Sequence, residues 1–219
     1  MQTLLIDLDG TLSDSAPGIV SSLHRAFAVV GVPPPDDATM RSLLGPPFYE
    51  SLPPLVGTEK MPAVIDAYRD YYSTAMFDTT LYDGMADVLA DLRARDVTLA
   101  VATSKPEAYA VPIVEHLGIT EYFAVIGGDA LDGSRDTKAK VITSVLERLG
   151  QPDPAGVLML GDRSHDVDGA HAHGIGCLGA GWGYATPGEL AGAIEVFAKP
   201  SALRAAHDRI FGEPDAATA

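Results

Sequence analysis

The chain has 219 residues, 47% of them apolar and 21% charged, and a formal net charge of −15 at pH 7. This describes a globular protein with room for one large domain or a domain plus an insert. The charge excludes a nucleic-acid or anionic-membrane surface, the single Cys177 excludes an internal disulfide, and no apolar stretch reaches the length of a membrane span. The N-terminus runs straight into a strand pattern with no charged leader region, so a cytoplasmic location is expected.

The first element is a short apolar strand, Thr3 to Leu8. Ile19, Val20, Leu23, Phe27 and Val30 then recur at helical spacing over residues 16–31, with Ser15 or Asp14 available as a cap and Pro17 suited to the first turn. The Pro33–Pro35 run breaks this helix. Further helices are expected over 37–44, 48–55 and 59–76, the first ending at Gly45-Pro46-Pro47. No strand pattern occurs between residues 15 and 80. Beyond Tyr82 helices and apolar runs alternate: helix 84–95, strand 97–102, helix 107–117, strand 123–126, helix 137–149, strand 157–160, helix 167–173, strand 175–178. Alternation of this kind means a parallel sheet covered on both faces.

The first strand has no partner nearby in sequence and must join that sheet. The expected fold is therefore α/β, a Rossmann-like three-layer parallel-sheet core carrying an inserted α-helical cap. The core takes residues 1–14 and 82–219, the cap takes 15–81, and the small polar tail 212–219 is expected to fray.

The polar residues with chemical potential fall just after strands. Strand one ends in Asp7-Leu8-Asp9-Gly10-Thr11, with both acids starting out on one side of the strand and Gly10 allowing a sharp turn. Two carboxylates so close repel unless a cation or a shared proton relieves them. The strand over 97–102 is followed by Thr103, Ser104 and Lys105, the strand over 157–160 by Gly161-Asp162-Arg163-Ser164-His165-Asp166, and Lys138 opens the helix between them. Ligands of open α/β sheets bind at these carboxyl ends. A few carboxylate oxygens with room for water suit Mg²⁺, and hydroxyls with an ammonium suit a phosphoryl group.

Asp7-Leu8-Asp9-Gly10-Thr11-Leu12, then Thr103, then Lys138, then Gly161-Asp162 with Asp166, resemble the four ordered motifs of the haloacid dehalogenase (HAD) superfamily. The resemblance spans nearly the whole chain. It is nearest to the phosphoglycolate-phosphatase-like and 5′-nucleotidase-like branch with a helical, C1-type cap, through Leu44-Gly45-Pro46-Pro47, Tyr82-Asp83-Gly84 and Trp182-Gly183-Tyr184. Ile6 departs from the usual Phe. The resemblance implies an Mg²⁺-dependent phosphatase acting on a small-molecule phosphate monoester. Asp7 would be the nucleophile, and Asp9 the group that protonates the leaving alcohol and then activates water. Asp7, the Asp9 carbonyl, Asp162 and Asp166 would serve the metal, and Thr103, Ser104 and Lys138 the phosphoryl group.

Other readings stand beside this one. Lys140 competes with Lys138. A phosphomutase of the same superfamily is the runner-up, although mutases of the branch carry Val where this chain has Thr11. A non-catalytic phosphate-binding protein is the third. The glycine run Gly174 to Gly179 matches a dinucleotide fingerprint formally but precedes its strand instead of following it. His171 and His173 are two apart on a helix and face different ways, which argues against zinc. For the leaving group, Arg41 suits a carboxylate such as that of phosphoglycolate, while Tyr49 and Phe48 suit a nucleobase.

Overall fold

The N-terminal apolar run sits in the middle of a parallel sheet, and the functional side chains follow from that position. The structure, a computed structural model, describes residues 2–45, 48–206 and 209–210. In chain order, β1 (Thr3–Ile6) and β2 (Ser13–Asp14) lead into α1 (Ala16–Val30), α2 (Asp37–Ser42), α3 (Phe48–Ser51) and α4 (Pro53–Ala75). β3 (Thr80–Leu81) returns antiparallel to β2 and closes off the helical block. Then follow α5 (Met85–Ala94), β4 (Thr98–Pro106), α6 (Glu107–His116), β5 (Phe123–Asp129), α7 (Lys138–Arg148), β6 (Val157–Gly161), α8 (Ser164–His171), β7 (Gly176–Ala180), β8 (Glu195–Phe197) and α9 (Pro200–Ala205).

Among the described residues the main sheet has six parallel strands in the order β5-β4-β1-β6-β7-β8. The chain winds outward from β1 through β4 to β5, then crosses back to place β6 on the other side of β1. That reversal opens a crevice at the carboxyl end of β1. Side chains alternate between the two faces, so Leu4 and Ile6 pack with α5, α6 and α9 while Leu5 packs with α7 and α8. The helical block has a core of its own, including Leu23, Phe27, Leu52, Val64 and Tyr72.

The α/β class and the alternating order agree with the sequence. Three differences have physical causes. β4 runs on to Pro106, past the expected end at 102. The helix expected over 167–173 starts at Ser164, because the Arg163 amide donates to the Asp166 carboxylate at 3.0 Å and caps it. The pattern over 48–76 divides differently: α3 stops at Ser51, and α4 contains a non-helical Gly57 (φ 77°, ψ 156°) near the expected break. The edge strand β8 has only three residues, too few for a visible alternation. Pro46, Pro47 and the tail 212–219 lie outside the described residues.

Candidate active site

Strand β1 ends at Ile6, and Asp7 follows at its carboxyl end; its amide donates to the Leu160 carbonyl of β6 at 2.9 Å. Gly10 then turns the chain with φ +82°, and a Cβ there would lie 2.2 Å from the Asp162 carboxylate. The glycine thus serves twice, for the left-handed backbone and for the close approach of the β6 acid. Asp7, Asp162 and Asp166 are all buried and offer carboxylate oxygens within 4.8 Å of one another.

Strand β4 brings the second group of residues through an irregularity. Ala102 pairs with Gly127 and Pro106 with Asp129, so β4 spends four residues where β5 spends two. This bulge frees Thr103, Ser104 and Lys105 from the ladder and re-aims their side chains. Gly128 makes room for it, since a Cβ there would fall 2.4 Å from the Lys105 carbonyl. Lys138, the first residue of α7, reaches in from behind the sheet. Its Nζ donates to Asp7 Oδ1 (2.7 Å) and the Ala102 carbonyl (2.8 Å) and pairs with Asp166 Oδ1 (2.7 Å). Lys140 instead pairs with Asp136 on the surface.

One small cavity is lined by Asp7, Asp9, Thr103, Ser104, Lys138 and Asp166, together with Lys105, Arg163, His165 and Gly45. Asp162 sits beside it, with Oδ1 accepting from Thr11 Oγ1 (3.1 Å) and Oδ2 from the Tyr184 amide (2.7 Å).

Burial pushes the Asp7 carboxyl up from its ordinary value; Lys138 draws it back and Asp166 pushes it up again. Burial raises Asp162 well above the usual carboxylate range, with Asp166 and Asp7 adding to it. Burial works against the charge on Lys138, but Asp166 and Asp7 outweigh it and hold the ammonium more firmly protonated than usual. Four carboxylates (Asp7, Asp9, Asp162, Asp166) share the site with two ammonium groups, Lys105 and Lys138. The surplus of negative charge and the all-oxygen donor set fit a hard divalent cation.

A second cavity, about 160 Å³, adjoins the first and shares Asp9, Gly45, Ser104 and Lys105 with it. Its walls come from the helical block, including Phe48, Tyr49, Tyr68 and Tyr72, with Tyr109 from α6. Tyr49, one of the residues singled out for the leaving group, therefore lines the cavity beside Asp9, and its hydroxyl donates to the Asp136 carbonyl of the core. Arg41 is not brought there. It is exposed on α2 and lines a hinge-side cavity with Asp14, Trp182 and Tyr184.

From the sequence Lys105 is only one of the residues after a strand, Arg163 a residue that shapes its loop, and Tyr184 part of a family-like stretch; the structure gives all three contacts at the site. Lys105 reaches Asp9 at 3.0 Å. Arg163 is held by Glu189 (2.6 Å) and donates to the Leu44 carbonyl of the helical block. The Tyr184 hydroxyl contacts Asp14 (2.8 Å) and accepts from the Ser15 amide (2.9 Å), bracing the hinge into α1. The Tyr68, Tyr72 spacing of four on a helix was the one available hint of the aromatic wall.

The profile of the haloacid dehalogenase-like hydrolase family matches residues 4–180. The tyrosine-protein kinase PtkA of Mycobacterium tuberculosis is 47% identical over 84% of this chain, which spans 63% of that protein's length. A 5′-nucleotidase of Pseudomonas aeruginosa is 36% identical over 85% of this chain and 86% of its own. The crystal structure of a predicted phosphatase from Clostridium acetobutylicum superposes with a TM-score of 0.88 at 34% identity, covering 95% of this chain and 97% of that one.

Proposed function

The chain belongs to the haloacid dehalogenase-like hydrolase family, and from that premise we propose an Mg²⁺-dependent phosphatase that hydrolyses a small phosphate monoester through an aspartyl-phosphate on Asp7. The observation that carries this reading is the position of Asp9. It lines both the charged cavity and the aromatic one, so it stands at the border between a phosphoryl group and its leaving group. The helical block, residues 15–81, acts as the cap.

Asp7, the Asp9 carbonyl, Asp162 and Asp166 would hold the Mg²⁺. When bound, the ion supplies positive charge that offsets the acids and the substrate's phosphoryl oxygens. Thr103, the Ser104 amide and Lys138 receive the phosphoryl group. In the first half-reaction a carboxylate oxygen of Asp7 forms a bond to phosphorus as the ester P–O bond breaks. The departing oxygen takes its electron pair and a proton from Asp9. In the second, Asp9 removes a proton from water, the water oxygen bonds to phosphorus, and the Asp7–phosphorus bond breaks. The products are an alcohol and inorganic phosphate, and both acids are restored.

The aromatic cavity suits a ring-bearing alcohol such as a nucleoside better than phosphoglycolate. The decisive assay is phosphate release from p-nitrophenyl phosphate, 5′-nucleotides, phosphoglycolate and glycerol phosphate, with Mg²⁺ and with EDTA. Turnover that requires the ion supports the reading; none under either condition removes it.

One observation favours a second reading. The 47%-identical relative is named a tyrosine-protein kinase. A phosphoryl group passed to a hydroxyl instead of water would make the chain a transferase. Transfer of label from ATP to protein, without phosphate release from any ester, would replace the hydrolase.

A further inference from the structure

Lys105 is almost entirely buried, its side chain 5% exposed, and its Nζ has two partners that come from different parts of the molecule. One is Asp9 Oδ2 at 3.0 Å, in the loop after β1. The other is the hydroxyl of Tyr72, on α4 of the helical block, at 2.5 Å. The ammonium lies farther from the ring, 4.6 Å from its centroid, so the hydroxyl is the contact that holds it. Tyr72 itself is fixed: it is 2% exposed, stacks on Tyr68 at 5.0 Å and meets Tyr109 of the core edge-on at 5.7 Å.

Asp9 Oδ1, by contrast, is buried and has no partner among the described residues. The orientation of the carboxyl therefore hangs on its other oxygen, Oδ2, and on Lys105. The tie between Oδ2 and Lys105 fixes the rotation of the carboxyl, and with it the direction in which Asp9 presents a proton to the leaving group.

We infer that Lys105 is a positioning residue that orients Asp9 as the acid, and that Tyr72 completes this arrangement only when the cap is docked on the core. The chain of contacts Tyr72–Lys105–Asp9 makes the proton donor's orientation depend on cap closure. Lys105 itself transfers no proton. The proton moves from the Asp9 carboxyl to the departing oxygen, so no further reactant is needed. The inference rests on the phosphatase reading above and goes beyond it by naming what sets the orientation of Asp9.

Leaving-group dependence tests it. Hydrolysis of p-nitrophenyl phosphate releases a stable phenolate and needs little help from an acid, whereas an alkyl ester needs the proton. The alkyl probe is whichever of adenosine 5′-monophosphate, phosphoglycolate and glycerol phosphate the wild-type enzyme turns over fastest. With enzyme in excess, the single-turnover rate of alcohol release reports the first half-reaction alone, in which Asp9 is the acid; Lys105→Met is expected to lower that rate about 10²-fold on the alkyl ester and by clearly less, under about 10-fold, on p-nitrophenyl phosphate. Tyr72→Phe keeps the packing and removes only the hydroxyl; it should show the same selectivity, with about a 10-fold loss on the alkyl ester. If Lys105→Met does not fold, Tyr72→Phe carries the test.

A loss of that release rate shared equally by both esters, no loss on either, or weaker binding with an unchanged release rate overturns the inference. A wild-type enzyme that cleaves only the activated ester has no working acid to position, and that also overturns it. A wild-type enzyme inert on every ester removes the phosphatase reading, and this inference with it.

Discussion

The two cavities that meet at Asp9 are built on opposite principles. The charged one draws its side chains from strand ends and the first turns of α7 and α8, parts of the chain held by the sheet ladder and by core packing on both faces. The aromatic one draws its walls mainly from the helical block, whose core is separate and whose link to the sheet runs through a short two-stranded hinge, β2 with β3. Phosphoryl chemistry needs charges fixed at sub-ångström precision, and buried strand ends supply that. On the proposed reading, choice of leaving group needs a surface that can vary and move, a part that helices on a hinge would play.

Substitutions on either side of Asp9 should therefore fail differently. The largest effect is expected at Asp7. Asp7→Asn should cost at least about 10⁴-fold in kcat, as removal of a nucleophile does elsewhere, while leaving the circular dichroism spectrum unchanged. Normal turnover by that variant would break the division between the two cavities at its root.

Next comes Lys138, which lies between Asp7 and Asp166. Lys138→Met leaves two buried acids without their counter-charge and should destabilise the fold by about 3 kcal/mol in urea unfolding. Added Mg²⁺ should recover part of that loss, because the ion offsets the same acids.

Smaller effects sharpen the boundary. The Glu189 carboxyl is held down to about 2 from 4.5: burial opposes this, but the Thr186 amide, Arg163 and the Ser164 amide prevail. A depressed carboxylate contributes stability above its unfolded value that disappears as the pH falls towards the folded one. Wild type should thus be more stable than Glu189→Gln above pH 4.5, with the gap closing as pH approaches about 2. Allowing for partial exposure, the gap should be about 1 kcal/mol, read from thermal melts across that range.

The smallest effect belongs to Arg41, on the hinge side. Arg41→Ala should change kcat/KM by less than about 3-fold, as exposed substitutions do. A larger loss would move Arg41 into the leaving-group cavity and redraw the boundary.

Much of this was legible before any coordinates. The alternation beyond Tyr82 forces a parallel sheet, and a lone apolar strand at the N-terminus has to join it. Asp7, Asp9, Thr103, Lys138, Asp162 and Asp166 stand at strand or helix ends whatever the details of packing, so local order alone locates them. The β4 bulge leaves no such trace. It comes from the mismatch of register with β5 and the space left by Gly128. Nor could Lys105 be distinguished from a solvated lysine, since its environment is made by Tyr72, 33 residues away.

The linear order of residues determined which groups arrive at the carboxyl edge of the sheet, because strand and helix periodicities are local. What tertiary structure decided is which groups touch across the boundary between the helical block and the sheet: Tyr72 on Lys105, Arg163 on the Leu44 carbonyl, Tyr49 on the Asp136 carbonyl. Contacts of that kind depend on how two separately packed layers dock, and no pattern within either layer encodes the geometry of the other.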